Sequence, residues 1–462
     1  MIQLYNSLTG TKEILKTISP GNVKMYVCGV TVYDRCHMGH ARTYVAFDIM
    51  VRYLRYQGYK VEYVRNITDI DDKIIKKSKE LSIDASTLVQ EYTEKMYEDF
   101  DSLNILRPDF EPKATECINE IIDMISNLLA KGHAYLCENG DVCFKVASFE
   151  NYGRLSGQDM DALMSGVRVA ASQYKQSQLD FVLWKAAKKD EPSWSAPWSE
   201  GRPGWHIECS AMARKILGDA IDIHGGGSDL KFPHHENEIA QSEAANCCSF
   251  SKFWLHSGMV KINSEKMSKS LNNFFTINEV LKKYSSETIR YFLMTGHYRS
   301  DINYTESNLD NASNSLDKLY SSLRGLCLDS DETTTLDKSY KVQFEQAMNN
   351  DFNTPEAIAV LFGLSKAINK AKSEGDDSLS ITLAQLLVKL GGILGILQEN
   401  PDDYFKKNQS ELDIDIIEQL ISKRTEAKLL KNWKEADILR DKIEKLGFSL
   451  EDTASGTIWK KN

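Results

Sequence analysis

The sequence predicts an α/β protein: a parallel-sheet core carrying an inserted segment, then a helical bundle and a small C-terminal α/β unit. Three observations predict it. A strand, loop, helix, strand succession occupies residues 23–65, a later strand-like run at 221–224 ends in Gly225-Gly226-Gly227, and from Thr276 onward the pattern turns mainly helical.

Residues 23–28 read as a strand, a loop follows through Asp34, and residues 41–56 carry a broad apolar helical face that Gly58 closes. Residues 60–65 read as the next strand. Such a unit implies a right-handed crossover and parallel pairing, with ligands bound beyond the carboxyl ends of the strands. Cys28 and His37 both fall at that end. Residues 114–131 read as helix, and 134–137 with 142–146 flank Asn139-Gly140, a pair suited to a tight hairpin. Residues 116–199 are therefore assigned as an insert between two parts of the sheet domain, 1–115 and 200–250. Gly225 to Gly227 supply backbone that a ligand can approach closely. Thr276 and Glu279 form a capping-box pattern, and Thr354-Pro355 opens a helix within a bundle assigned to 311–400. A final unit, 405–462, contains a helix over 433–446.

With 462 residues, 42% of them apolar and 26% charged, the chain has material for two to four domains. A net charge of −10 excludes a generally basic nucleic-acid coat, so any RNA contact needs a local patch. Residues 423–462 are such a patch, with ten Lys or Arg against seven Asp or Glu. Nine cysteines without dense spacing read as reduced thiols rather than a disulfide scaffold. The N-terminus lacks a basic flank and an apolar signal core, and the greasiest run, 386–397, is short and interrupted by Lys389 and glycines. No membrane partner and a cytoplasmic location are expected.

Two motifs carry the chemistry. His37-Met38-Gly39-His40 alone also fits a capped helix start with surface histidines. Followed by Lys266-Met267-Ser268-Lys269-Ser270, it makes a paired phosphate-handling signature in the order that a crossover domain requires. A carboxylate attacking an α-phosphate builds negative charge on phosphoryl oxygens, and His37, His40, Lys266 and Lys269 are donors and cations suited to meet it. A second set lies around Pro233-His234-His235-Glu236-Asn237-Glu238. His, Glu and Cys are all zinc ligands, so Cys28 and Cys209 are candidates to complete a site with that segment. His234 is four residues from Glu238 and shares its helix face; His235, three away, lies on an adjacent face and stays open as the alternative. His224 reads as an outer partner of such a site or as a buried, hydrogen-bonded histidine. Cys36, Cys247 and Cys248 read as structural.

Together the paired motifs resemble the signature of the class I aminoacyl-tRNA synthetases. Residues 205–212 and 224–241, with Cys28 after the first strand, resemble the cysteinyl members of that family. Met38 departs from the isoleucine usual in the first motif. The resemblance implies a Rossmann-like catalytic domain that binds ATP through His37, Gly39, His40, Lys266, Met267, Ser268, Lys269 and Ser270. Mg2+ is expected to accompany the ATP. It also implies one zinc ion per chain, held by Cys28, Cys209, His234 and Glu238, with selection of L-cysteine as its thiolate. Substrate contacts are expected from Gly29, Thr68, Trp205 and Asp229. The expected reaction forms cysteinyl-adenylate, releases pyrophosphate and transfers cysteine to the 2′-hydroxyl of the terminal adenosine of tRNA(Cys). Residues 251–310 would carry the second signature loop and contact the RNA stem, and 405–462, with Arg440 and Trp459, would read the anticodon. The packed-face reading of Ala436, Leu439, Ile443 and Leu446 places Trp459 in a core instead. A monomer is expected, since no heptads demand a dimer. Two other readings share the motifs: a cysteine ligase acting on an amino-sugar, and a non-catalytic zinc- and RNA-binding relative.

Overall fold

The computed structural model describes residues 1–157, 174–262, 265–266, 274–328, 339–406, 411–453 and 456–461. By its internal contacts the chain divides into two compact units. The first comprises Met1–Leu309 with Glu345–Glu356, and the second Asp310–Phe344 with Ala357–Asn462.

The core of the first unit is a four-stranded sheet. Its elements in chain order are β1 (Asn22–Thr31), α1 (Met38–Tyr56), β2 (Lys60–Thr68), α2 (Trp205–Leu217), β3 (Ile221–Gly227), α3 (Glu236–Asn246) and β4 (Ser251–Ser257). The strands lie in the order β4-β3-β1-β2, and every neighbouring pair is parallel. Parallel strands are covered on both faces, which accounts for their near-continuous apolar runs: Val23, Met25, Tyr26 and Val27 of β1 are all buried. The strands run further than the apolar pattern suggests, β1 through Gly29 to Thr31 and β2 through Asn66 to Thr68. Polar residues at these carboxyl ends, Asn66 and Thr68 among them, interrupt the apolar pattern that marks a strand.

α1 begins one turn earlier than residue 41. His37 is its N-cap, its side chain accepting from the amides of Gly39 and His40. At the other end Gly58 follows the cap residue with φ +88°, a left-handed turn that needs glycine. Helices Asp72–Leu81 and Ala85–Ser102 were not expected from the sequence; each starts on an aspartate, Asp71 and Asp84, that accepts from an amide in the first turn.

The inserted part is a five-stranded antiparallel sheet packed with helix Ile118–Ala130. Its strands lie in the order Ala134–Leu136, Val142–Phe144, Phe181–Ala186, Glu200–Pro203, Trp194–Ser195. The expected hairpin is present, with Gly140 at φ +85°. The insert's sheet runs past the expected boundary at 199, because Gly201, Arg202 and Pro203 pair with residues 184–186. Ile125, Phe144, Leu183 and Trp184 form its core, with Ile207 and Ala211 of α2.

The bundle expected over 311–400 also differs. Residues 345–356 belong to the first unit, where Asp351 accepts from the Tyr5 amide at 2.9 Å, the Tyr298 hydroxyl at 2.9 Å and Arg299 Nε at 2.8 Å. The second unit is mainly helical and ends in helices Glu411–Leu429 and Trp433–Lys445 with the hairpin Phe448–Thr453/Gly456–Lys461. Ile417, Ile443, Phe448 and Trp459 pack as its small core. Ala436 and Leu439 are buried beside them, whereas Leu446 is 51% exposed because the helix has already ended at Lys445. Helix Asp377–Leu394 is long and apolar enough to cross a membrane by length and composition, with half of that stretch buried. Leu383, Leu387, Leu390 and Leu394 are among its buried residues, as in a core helix of a bundle.

Candidate metal centre and nucleotide cavity

Carboxyl ends of β1, β2 and β3 converge with the start of α2 and the turn before α3, and four sulfur, nitrogen and oxygen side chains meet there. Cys28 from β1 and Cys209 from α2 bring their Sγ atoms to 3.7 Å. Cys28 Sγ lies 3.2 Å from Glu238 Oε1, and His234 Nε2 lies 3.0 Å from the same oxygen. All four residues are buried, and their donor atoms lie within 4.8 Å of one another. A second, overlapping group shares Cys28 and Glu238 but substitutes His224 and His235. There, however, His224 Nε2 binds the other oxygen, Glu238 Oε2, at 2.8 Å, and His235 Nδ1 is engaged by His256 Nε2 at 2.9 Å.

The electrostatics of the side chains distinguish the four groups. Burial pushes the Cys28 thiol well above its ordinary pKa, and neighbouring Cys209 adds to the effect. The hydrogen bond from Cys28 lowers Cys209 to about 6 against the opposing effect of burial. At His234 burial disfavours the cation, yet Glu238 and Cys209 outweigh it and raise the pKa to about 10. Burial also works against the Glu238 carboxylate, but His224 and His234 hold it well below the usual range. Two thiols, an imidazole and a carboxylate at this spacing fit a tetrahedral borderline-soft cation such as zinc. Outer partners orient the donors: His206 Nδ1 lies 2.9 Å from His234 Nδ1, and burial keeps His206 neutral.

Beside this cluster lies a cavity of about 540 Å³ lined by Cys28, Gly29, His37, Gly39, His40, Trp205 and Asp229, together with Tyr33, Arg35 and Lys73. The rings of His37 and His40 stack at 3.7 Å. Met38 N donates to Phe275 O at 3.1 Å, and the His37 ring meets Phe274 at 4.9 Å, so the chain just beyond the second signature is paired with the first. Lys266 lies in strand Glu265–Lys266, paired with Lys261; Met267, Ser268, Lys269 and Ser270 lie outside the described residues. Thr68 sits apart from the cavity lining, buried at the end of β2, where it receives Asn66 Nδ2 at 3.3 Å.

The triple glycine has a different reason from the one the sequence suggests. A Cβ at Gly225 would lie 2.2 Å from the Phe47 ring of α1, and one at Gly226 would lie 2.9 Å from Leu230 and 3.0 Å from His235. These two glycines make room for the protein itself; Gly227 alone lines the cavity. Sequence reasoning missed His206, His256 and Asn66. The histidines are scattered through the chain, and only the folded sheet reveals their convergence; Asn66 was signalled by its place in a strand end rich in polar residues, Asn66-Ile67-Thr68-Asp69.

Comparison with known proteins gives a consistent likeness. Residues 14–314 match the family described as the tRNA synthetases class I (C) catalytic domain, and residues 343–398 match the DALR domain. The chain is 53% identical over 461 residues to a cysteine–tRNA ligase of Histophilus somni, covering 100% of both proteins. It is 55% identical over 459 residues to one of Francisella philomiragia, covering 99% of both. Among solved structures, a methionyl-tRNA synthetase of Mycobacterium tuberculosis in complex with methionyl-adenylate is similar in fold, with a TM-score of 0.61 at 15% identity, over 83% of this chain and 95% of that one.

Proposed function

This chain belongs to the cysteine–tRNA ligases of the class I aminoacyl-tRNA synthetases, and from that premise we propose how its own residues divide the reaction. Cys28, Cys209, His234 and Glu238 hold one zinc ion per chain. Bound there, zinc would supply Lewis-acid character that favours the thiolate of L-cysteine over the hydroxyl of serine. Trp205, Gly29 and Asp229 shape the wall of the amino-acid pocket, with Asp229 meeting the substrate ammonium, and Thr68 supports it from the end of β2. What supports this reading is one observation above all: four buried zinc-type donors cluster together, and one of them, Cys28, lines the cavity that also receives His37 and His40.

The ATP occupies that cavity with Mg2+, Gly39 giving adenine access to the start of α1. When the cysteine carboxylate attacks the α-phosphorus and pyrophosphate leaves, charge grows on the phosphoryl oxygens. His37, the N-cap of α1, and His40 within it, with Lys266 and Lys269 from the second signature, lower the barrier by meeting that charge; Met267, Ser268 and Ser270 complete the ATP-binding signature. Cysteine then passes from cysteinyl-adenylate to the 2′-hydroxyl of the terminal adenosine of tRNA(Cys). Residues 251–310 contact the RNA stem, and 405–462 engage the anticodon through exposed cations such as Arg440, since Trp459 is only 5% exposed and packed in the core of that part. The protein acts as a cytoplasmic monomer. The test is pyrophosphate exchange followed by aminoacylation: cysteine-dependent exchange with ATP, and charging of tRNA(Cys), are expected, and a protein that exchanges without charging any tRNA would be a small-molecule ligase instead.

A further inference from the structure

β1 and β2 pair in register from Asn22 to Val27, then slip. Val27 faces Arg65 and Val30 faces Ile67, so two residues of β1, Cys28 and Gly29, stand opposite the single residue Asn66. This is a β-bulge, an arrangement that bends a strand and re-aims a side chain. Here the re-aimed side chain is Cys28.

The bulge is held at the peptide between Cys28 and Gly29, from both of its poles. Tyr44 Oη donates to the Cys28 carbonyl at 2.9 Å, and Gly29 N donates to Asn66 Oδ1 at 2.8 Å. The backbone of Asn66 closes in as well, for a Cβ at Gly29 would lie 1.6 Å from its carbonyl oxygen. Asn66 is 1% exposed. Its Oδ1 also lies 3.7 Å from Cys209 Sγ, and its Nδ2 donates to Thr68 Oγ1 at 3.3 Å. One side chain thus fixes the peptide plane that aims Cys28, touches Cys209, and ties both to the end of β2.

We propose that Asn66 is a positioning residue of the metal centre: by clamping the Cys28–Gly29 bulge against Cys209, it sets the spacing of the two thiol donors and thereby the grip on the metal. The Asn66 amide accepts from Gly29 N through Oδ1 while it donates to Thr68 Oγ1 through Nδ2, so one side chain meets both groups at once. The proposal rests on the reading that Cys28, Cys209, His234 and Glu238 hold zinc.

The test uses the full chain with Zn2+ and with Co2+ as a spectroscopic probe. Zinc affinity is measured by competition with a chromophoric chelator, and the thiolate-to-cobalt charge-transfer and ligand-field bands are recorded. Asn66→Ala is expected to weaken zinc binding about 10- to 100-fold, alter the cobalt bands and raise KM for cysteine more than KM for ATP. Asn66→Ser, which cannot reach Gly29, is expected to do the same and serves if the alanine variant does not fold. Asn6→Ala is the control. Asn6 is equally buried and accepts from Trp254 N at 3.1 Å while donating to Lys252 O at 2.9 Å. It should lower Tm without moving the cobalt bands or zinc affinity. Unchanged affinity and bands in an Asn66 variant overturn the proposal, as does unfolding of both variants while Asn6→Ala stays folded, which assigns Asn66 to the fold alone. If the unaltered protein binds neither metal, the zinc reading itself fails.

Discussion

His224 Nε2 lies 2.8 Å from Glu238 Oε2, the carboxylate oxygen opposite the one that faces Cys28 and His234. One carboxylate therefore spans the metal centre and its surroundings, one oxygen directed at the donors and the other fixed by a fully buried imidazole. Replacing His224 with alanine leaves Oε2 without this partner in a dry site. Zinc affinity should fall about 10- to 100-fold, measured by chelator competition; unchanged affinity would show that α3 alone orients Glu238.

Cys209→Ser and Cys28→Ser remove donors outright. Each should lose zinc on dialysis, read by metal analysis of the purified protein, and with it the preference for cysteine. A Cys209→Ser variant retaining one equivalent of zinc would move the ligand set toward the overlapping group with His224 and His235, which keeps Cys28, whereas retention by Cys28→Ser would contradict both groups.

Zinc binding should strengthen as pH rises. Cys28, raised by burial, and His234, raised to about 10, both carry protons at neutral pH in the metal-free protein. Both protons must leave when the metal binds. Proton release on zinc addition, followed in weakly buffered solution, should therefore be positive, and affinity at pH 8 should exceed that at pH 6; a pH-independent affinity would contradict this protonation pattern.

Asp48→Ala should destabilise the first unit by about 3–5 kcal/mol. Asp48 is 1% exposed; it pairs with the fully buried Arg290 and with Arg52 at 2.8 Å, and accepts from the Leu106 amide at 2.8 Å. Its removal takes the paired carboxylate from the buried Arg290 cation, which keeps its hydrogen bonds to the Leu103 and Asn104 carbonyls. Chemical denaturation checks this, and a loss below about 1 kcal/mol would mean that water reaches Arg290.

Deleting residues 405–462 should abolish tRNA charging while sparing cysteine-dependent pyrophosphate exchange. Retention of charging would remove this part from RNA recognition.

Residue type alone made Cys28, Cys209, His234 and Glu238 zinc candidates, and the resemblance to the cysteinyl synthetases joined them into one set. Spacing itself linked only His234 to Glu238, four residues apart on one helix face. What the sequence hides is anything set by cross-strand register. The bulge at Cys28 and Gly29 arises from a slip between two strands, and no feature of residues 22–31 taken alone reports it. Likewise Gly225 is demanded by Phe47, a residue 178 positions away on α1. Strand ends are harder to read for a physical reason: polar residues such as Asn66 and Thr68 interrupt the apolar pattern that identifies a strand.

The most direct test of the central claim is ATP–pyrophosphate exchange with cysteine and with serine, on zinc-loaded protein and on protein stripped by a chelator. A site built on a specific polar contact rejects the analogue lacking it by about 10⁴-fold or more. The account predicts rapid exchange with cysteine, discrimination against serine of that order, and loss of cysteine exchange on stripping that zinc restores. Exchange with cysteine that survives complete removal of zinc would contradict it.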